Sequence, residues 1–208
     1  MAAGGVAAAV SDGLGSRAHA EVGARAACRA VLAEADLDMY DEPSSLADMP
    51  ARVQSRWLTL LHGRAPADCS ATCLFVVVRF SGDVVVAQLG DGLVAACAAD
   101  GAVDVLMPDK SDSFANMTDS LADKDARDRW RTMVVPERRY GAFILCSDGI
   151  ADDLEPSMVA PFVRAVVAHH RGQGRRVWRR EVRSWLRDWP VAGHTDDKTM
   201  ACLYRSEP

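Results

Sequence analysis

An apolar run of strand length, Phe143-Ile144-Leu145-Cys146, stops at Ser147-Asp148-Gly149. An Asp-Gly pair at that point turns the backbone and leaves a carboxylate at the strand tip. The absent Cβ of glycine leaves room for a ligand beside it. The same grammar recurs at Val6 to Val10 followed by Ser11-Asp12-Gly13, and at Val84 to Leu89 followed by Gly90-Asp91-Gly92. An acidic pair, Asp196-Asp197, stands just ahead of the last apolar run. A single Asp-Gly is an ordinary hairpin turn. Several of them at one edge of a sheet bring carboxylates together, and crowded carboxylates repel unless they share protons or bind cations. Hard oxygen ligands of this kind suit Mg²⁺ or Mn²⁺ rather than zinc.

The chain between these tips has 208 residues, 49% of them hydrophobic, enough for one domain over 1–208 with a sizeable core. A net charge of −5 supplies no overall basic field for nucleic acid or an anionic membrane. No apolar run approaches the roughly 18 residues of a membrane span, and the start lacks a secretory n-region and h-region. The expectation is a cytoplasmic monomer without a nucleic-acid or membrane partner. Six cysteines, at 28, 69, 73, 97, 146 and 202, form no C-x-x-C pair and read as buried thiols.

Local patterns predict the elements in order. Residues 1–10 read as a strand, and Ser16 reads as the N-cap of an Ala-rich helix over roughly 16–35. Asp36 to Pro50 reads as a loop, and Val53, Trp57, Leu60 and Leu61 mark a helix ending near Gly63. Valine-dense runs from Ala71 to Met107 predict an antiparallel meander. Residues 108–138 read as a solvated flap. Tyr140 to Cys146 is a strand, followed by helices carrying Val159 to Val167 and then Trp178, Val182, Trp185, Leu186 and Trp189. Arg171, Arg175, Arg176, Arg179, Arg180 and Arg183 make a basic run beside that second helix, read as a solvated face or a surface for an acidic or phosphorylated partner. Met200 to Tyr204 closes the chain as a strand. Helices before, strands between and helices after indicate an α+β layered fold.

The order of motifs resembles the metal-dependent protein phosphatases of type 2C, in their bacterial branch. Ser11-Asp12-Gly13-Leu14-Gly15-Ser16 matches the family's Asp-Gly-x-Gly segment, and Cys69-Ser70-Ala71-Thr72 its small-residue and Thr element. Gly90-Asp91-Gly92, Ser147-Asp148-Gly149 and Asp196-Asp197-Lys198-Thr199 correspond to its three later acidic motifs. The resemblance implies a four-layer αββα sandwich of two antiparallel sheets flanked by helix pairs, with a two-metal cleft for Mg²⁺ or Mn²⁺. It makes Asp12 the bridging ligand, with the Gly13 carbonyl on one ion and Asp148 and Asp196 on the other. Asp91 with Asp148 falls at a third, weaker position. It also implies hydrolysis of phosphoserine and phosphothreonine in proteins by a metal-activated water, the substrate being a phosphoprotein such as a Ser/Thr kinase or its target. His194 is a candidate proton donor to the leaving oxygen, or a residue that orients its loop.

The family's first strand carries an Arg that grips phosphate and an acidic residue for the second metal, within an Arg-x-x-Asn-Gln/Glu-Asp pattern. No such pattern occurs in this sequence. Two expectations follow: an N-terminally shortened phosphatase with one incomplete metal site, or a non-catalytic phosphatase-like module that binds a kinase or phosphoprotein.

Overall fold

A computed structural model describes residues 6–37, 48–79, 81–106, 118–170, 173–189, 191 and 196–205. Its strands are β1 (Val6–Val10), β2 (Cys73–Val78), β3 (Asp83–Leu89), β4 (Leu93–Ala98), β5 (Val103–Leu106), β6 (Arg131–Pro136), β7 (Tyr140–Cys146) and β8 (Met200–Tyr204). Its helices are α1 (Ala20–Leu37), α2 (Met49–Leu60), α3 (Ala126–Arg129), α4 (Asp148–Ala151), α5 (Pro156–His170) and α6 (Arg175–Arg187). The strands form two antiparallel sheets, ordered β1-β2-β3-β6 and β5-β4-β7-β8.

The central strands are apolar at nearly every position because both of their faces are covered. Successive side chains point to opposite faces of a strand. In β2 and β3, Leu74, Val76, Val84 and Val86 enter the core between the sheets, whereas Phe75, Val77, Val85 and Ala87 pack under α1 and α2. In β4 and β7, Val94, Ala96 and Leu145 face the first sheet, whereas Ala95, Cys97, Ile144 and Cys146 pack under α5 and α6. The result is the expected layering, helices on both outer faces of two packed sheets. Among the described residues, no helix is long and apolar enough to cross a membrane.

α1 and α2 are joined by a polar clamp as well as by packing. Glu34, nearly buried, accepts from Arg56 at 2.8 Å and from Arg52 at 3.3 Å, and the Trp57 indole N–H donates to the Gly23 carbonyl at 3.0 Å. All six cysteines are free thiols, and burial pushes those of Cys73 and Cys146 well above the usual thiol range.

Four local expectations are corrected. The 71–107 run is not one meander, because β3 does not pair with β4. The chain crosses from one sheet to the other at Gly90-Asp91-Gly92, so the run is two hairpins in two sheets. The glycines allow that corner: φ is +84° at Gly90 and +124° at Gly92, and a Cβ on Gly90 would lie 2.4 Å from the Asp119 carbonyl oxygen. Buried Gln88 pins it, its Nε2 donating to the carbonyls of Gly90 at 3.1 Å and Gly92 at 3.0 Å.

Residues 108–138 are not all flap, since β6 pairs with β3 and Val135 is buried against the inter-sheet core; residues 107–117 lie outside the described residues. α1 begins at Ala20 rather than at Ser16. The Leu14 N–H donates to the Ser70 carbonyl at 3.0 Å and the His19 N–H to the Asp68 carbonyl at 2.8 Å, which holds 14–19 in a turn before the helix starts. Finally, α1 runs on through Asp36 and Leu37, and α2 already contains Met49 and Pro50; 38–47 lie outside the described residues.

Candidate functional site

Antiparallel pairing decides where the aspartates meet. Val10 at the end of β1 pairs with Leu74 near the start of β2, and Cys146 at the end of β7 pairs with both Leu93 at the start of β4 and Met200 at the start of β8. The segments bearing Asp12, Asp91, Asp148 and Asp196 therefore all leave the sandwich at one end. A cleft of about 510 Å³ opens there, lined among others by Asp12, Gly13, Arg17, Asp148, Asp196 and Asp197.

Each side of the cleft is held by a hydroxyl residue. On the first, Thr72 Oγ1 accepts the Asp12 N–H at 2.9 Å, the Thr72 N–H donates to the Asp12 carbonyl at 2.8 Å, and Ser11 Oγ donates to the Thr72 carbonyl at 2.6 Å. On the second, buried Ser147 donates through Oγ to the Asp197 carbonyl at 3.0 Å and accepts the Thr199 N–H at 3.0 Å. Gly149 makes this approach possible, because a Cβ there would lie 2.4 Å from the Asp197 carbonyl oxygen.

Asp12 and Asp148 each use Oδ1 to accept the N–H of the following glycine, at 2.9 and 2.8 Å. Burial, then the charges of Asp148 and Asp196, push the Asp12 carboxyl up to about 6. Asp148 is raised as well, first by burial and then by the charge of Asp196, while the Gly149 N–H pulls it down. Two interacting carboxyls with raised affinity for protons form a donor set that a hard divalent cation would relieve. The carboxylates face one cleft without closing on one point: among the described residues, no three His, Cys, Asp or Glu side chains are gathered closely enough to hold an ion as they stand. Aspartate χ2 is soft, so turning these carboxylates is cheap, and an all-oxygen set is the donor chemistry that a hard divalent cation takes.

Asp91 does not line the cleft. Its carboxylate accepts from Thr118 Oγ1 at 2.6 Å, and it is Thr118 that reaches the cleft wall. His194 and Arg171 lie outside the described residues. Sequence reading missed Arg17, Thr118 and Ser120 on the cleft wall, and it placed Asp123, which joins them there, only among the carboxylates of the 108–138 flap. Arg17 follows the Asp12-Gly13 motif closely, and the 14–19 turn folds it back. The other three sit in the segment read as flap, with no local signal of their destination.

The raised Asp12 carboxyl has a consequence for stability. The folded state prefers the proton, so this contribution is complete below the unfolded value of 3.8 and is lost as pH rises through about 6. The melting temperature measured in EDTA should fall over that interval in the wild type. Asp12→Asn, which cannot ionise, should flatten the curve, and an unchanged slope would show that neither burial nor the neighbouring charges raise the Asp12 carboxyl.

A family model described as protein phosphatase 2C matches residues 2–189. No curated protein matches the sequence. Among solved structures, the catalytic domain of the serine/threonine phosphatase PstP in complex with two manganese ions is similar with a TM-score of 0.62 at 19% identity, over 93% of this chain and 85% of that one. Serine/threonine phosphatase Stp1 from Staphylococcus aureus has a TM-score of 0.63 at 14% identity, over 97% and 84%. PppA, a regulatory component of T6SS in Pseudomonas aeruginosa, has a TM-score of 0.61 at 16% identity, over 94% and 84%. At these identities the likeness is one of fold.

Proposed function

This chain belongs to the protein phosphatase 2C family, and from that membership we propose that it hydrolyses phosphoserine and phosphothreonine in proteins, a Ser/Thr kinase or its target among them, with Mg²⁺ or Mn²⁺. The observation that carries this reading is the meeting of Asp12, Asp148 and Asp196, from three separate strand ends, in a cleft that also holds Arg17. Asp12, Asp148 and Asp196 would hold one ion. Asp12 and the Gly13 carbonyl would hold a second, with Asp123 or Asp197 on the cleft wall as the carboxylate able to complete it. Asp91 would act through Thr118 unless its carboxylate turns toward Asp148. Such ions, when bound, make water nucleophilic near neutral pH and draw charge from phosphoryl oxygens.

The remaining work falls to the chain. Arg17 is the one Lys or Arg among the described residues lining the cleft. A guanidinium presents two parallel N–H groups to phosphate oxygens, so Arg17 would seat the substrate phosphate. The Ser120 hydroxyl, whose oxygen accepts the Ala122 N–H at 3.3 Å, keeps its proton for a further hydrogen bond from the same wall, that of Thr118 being given to Asp91. The cysteines take no part, their thiols being held protonated by burial at Cys73 and Cys146.

A second reading, a phosphatase-like module that binds phosphoproteins without turnover, is favoured by the open spacing of the carboxylates. One assay separates the two. Hydrolysis of a phosphothreonine peptide and of p-nitrophenyl phosphate should require Mn²⁺ and stop with EDTA. Arg17→Ala should raise KM for the peptide about tenfold with a smaller change in kcat, as for loss of a charged hydrogen bond. Hydrolysis indifferent to EDTA sinks the metal-dependent reading, and peptide binding without turnover establishes the module.

A further inference from the structure

A second groove, of about 660 Å³, adjoins the cleft and shares Asp196 and Asp197 with it. It is lined on the other side by Arg183 and Arg187 of α6 and by Trp189 just beyond that helix, and Lys198 lines it too. Arg183 and Arg187 stand one helical turn apart, at i and i+4, and so share a face. Several arginines elsewhere are engaged: Arg52 and Arg56 on Glu34, Arg129 on Asp119 and Asp125, Arg139 on Asp104. Among the described residues, the guanidinium groups of Arg183 and Arg187 have no hydrogen bond or ion pair. The chain just past α6 is anchored, since Trp189 Nε1 donates to Asp153 Oδ2 at 2.7 Å and its ring meets Phe162 edge to face. Lys198 Nζ donates to the Asp196 carbonyl at 3.1 Å, which keeps its charge beside the cleft.

The groove is thus acidic where it joins the cleft and basic along α6. An extended peptide advances about 3.3 Å per residue, so a substrate whose phosphoresidue sits at Asp12 and Asp148 carries its near neighbours past Arg183 and Arg187. We propose that this basic groove binds acidic side chains flanking the phosphorylated residue, making phosphoproteins with nearby Asp or Glu the preferred substrates. The proposal rests on the phosphatase reading for what occupies the cleft. It gives α6 a role that solvation of its arginines does not.

The test uses three phosphothreonine peptides that differ only in having Glu, Gln or Lys at the positions two to four residues on either side. The wild type should turn over the Glu peptide with a kcat/KM roughly three- to tenfold above the Gln peptide, the worth of one or two exposed ion pairs. The Lys peptide should fall below both, and added salt should shrink the differences. The double variant Arg183→Ala/Arg187→Ala should lose the discrimination while hydrolysing p-nitrophenyl phosphate, too small to reach the groove, at the wild-type rate. Fluorescence anisotropy of the same peptides in EDTA reads binding apart from turnover. An Arg-dependent preference in binding with no hydrolysis keeps the groove and removes the enzyme. Equal treatment of the three peptides, or a preference that survives in the double variant, removes the groove.

Discussion

Asp148→Asn should lower kcat/KM for a phosphopeptide by about two orders of magnitude or more and erase the rise in melting temperature that Mn²⁺ produces in the wild type. Loss of a residue that only orients a metal ligand typically costs up to about 100-fold, and Asp148 is proposed above as a ligand itself. Asn has the shape of Asp, and its side-chain carbonyl can still accept the Gly149 N–H that Asp148 Oδ1 accepts at 2.8 Å. The variant should fold, and without Mn²⁺ it should melt no lower than the wild type, since one member of a mutually repelling group has become neutral. At about a hundredfold excess over its dissociation constant, a bound ion stabilises by about 2.7 kcal/mol. In a chain of this size that corresponds to roughly 5 to 10 °C. Thermal melts with and without Mn²⁺, alongside steady-state kinetics, check both halves. A Mn²⁺ shift that persists in Asp148→Asn places the ion elsewhere.

Trp57→Ala should destabilise the protein by about 3–5 kcal/mol, lowering the melting temperature by about 10 °C. Trp57 is fully buried between α1 and α2, and its indole N–H donates to the Gly23 carbonyl. Truncation leaves a cavity and deprives that carbonyl of its partner. The damage should spread to the cleft. At Gly23, α1 lies so close to the Cys69 backbone that a Cβ would fall 1.8 Å from the Cys69 oxygen, and the next residues, Ser70 to Thr72, lead into the clamp on Asp12. Mn²⁺ should therefore bind Trp57→Ala more weakly than wild type. Trp57→Phe, which keeps most of the volume and loses the hydrogen bond, should cost about 1 kcal/mol. A loss under about 1 kcal/mol in Trp57→Ala would mean that the α1–α2 layer contributes little to the fold.

Much of this was legible in the residues. Apolar runs ending at Asp12, Asp148 and, in reverse order, after Asp196 mark strands whose tips carry carboxylates, because strand pairing needs only local length and hydrophobicity to be recognised. The valine-dense stretch was recognisable as strands but not as two sheets. Strands covered on both faces lose the polar and apolar alternation that would tell one sheet from another, and the crossing at Gly90-Asp91-Gly92 looks locally like any glycine turn. β6 was hidden in a polar segment: Arg131 is only partly covered, Thr132 is exposed, and its one buried side chain, Val135, acquires its place from pairing with β3.

What the sequence by itself determined is therefore the set of chemical parts, the strand-end carboxylates, the glycines beside them and the helices that follow, since each is written in a contiguous stretch. The tertiary structure alone decided which parts meet. Asp12 and Asp148 face each other because β1 and β7 end at the same edge of the two sheets. Arg17 enters the cleft because the turn before α1 is tied to Asp68 and Ser70, and Arg183 and Arg187 stand beside Asp196 because α6 packs on the outside of β8's sheet. These contacts join residues from about ten to more than a hundred positions apart, set by packing that no local pattern encodes.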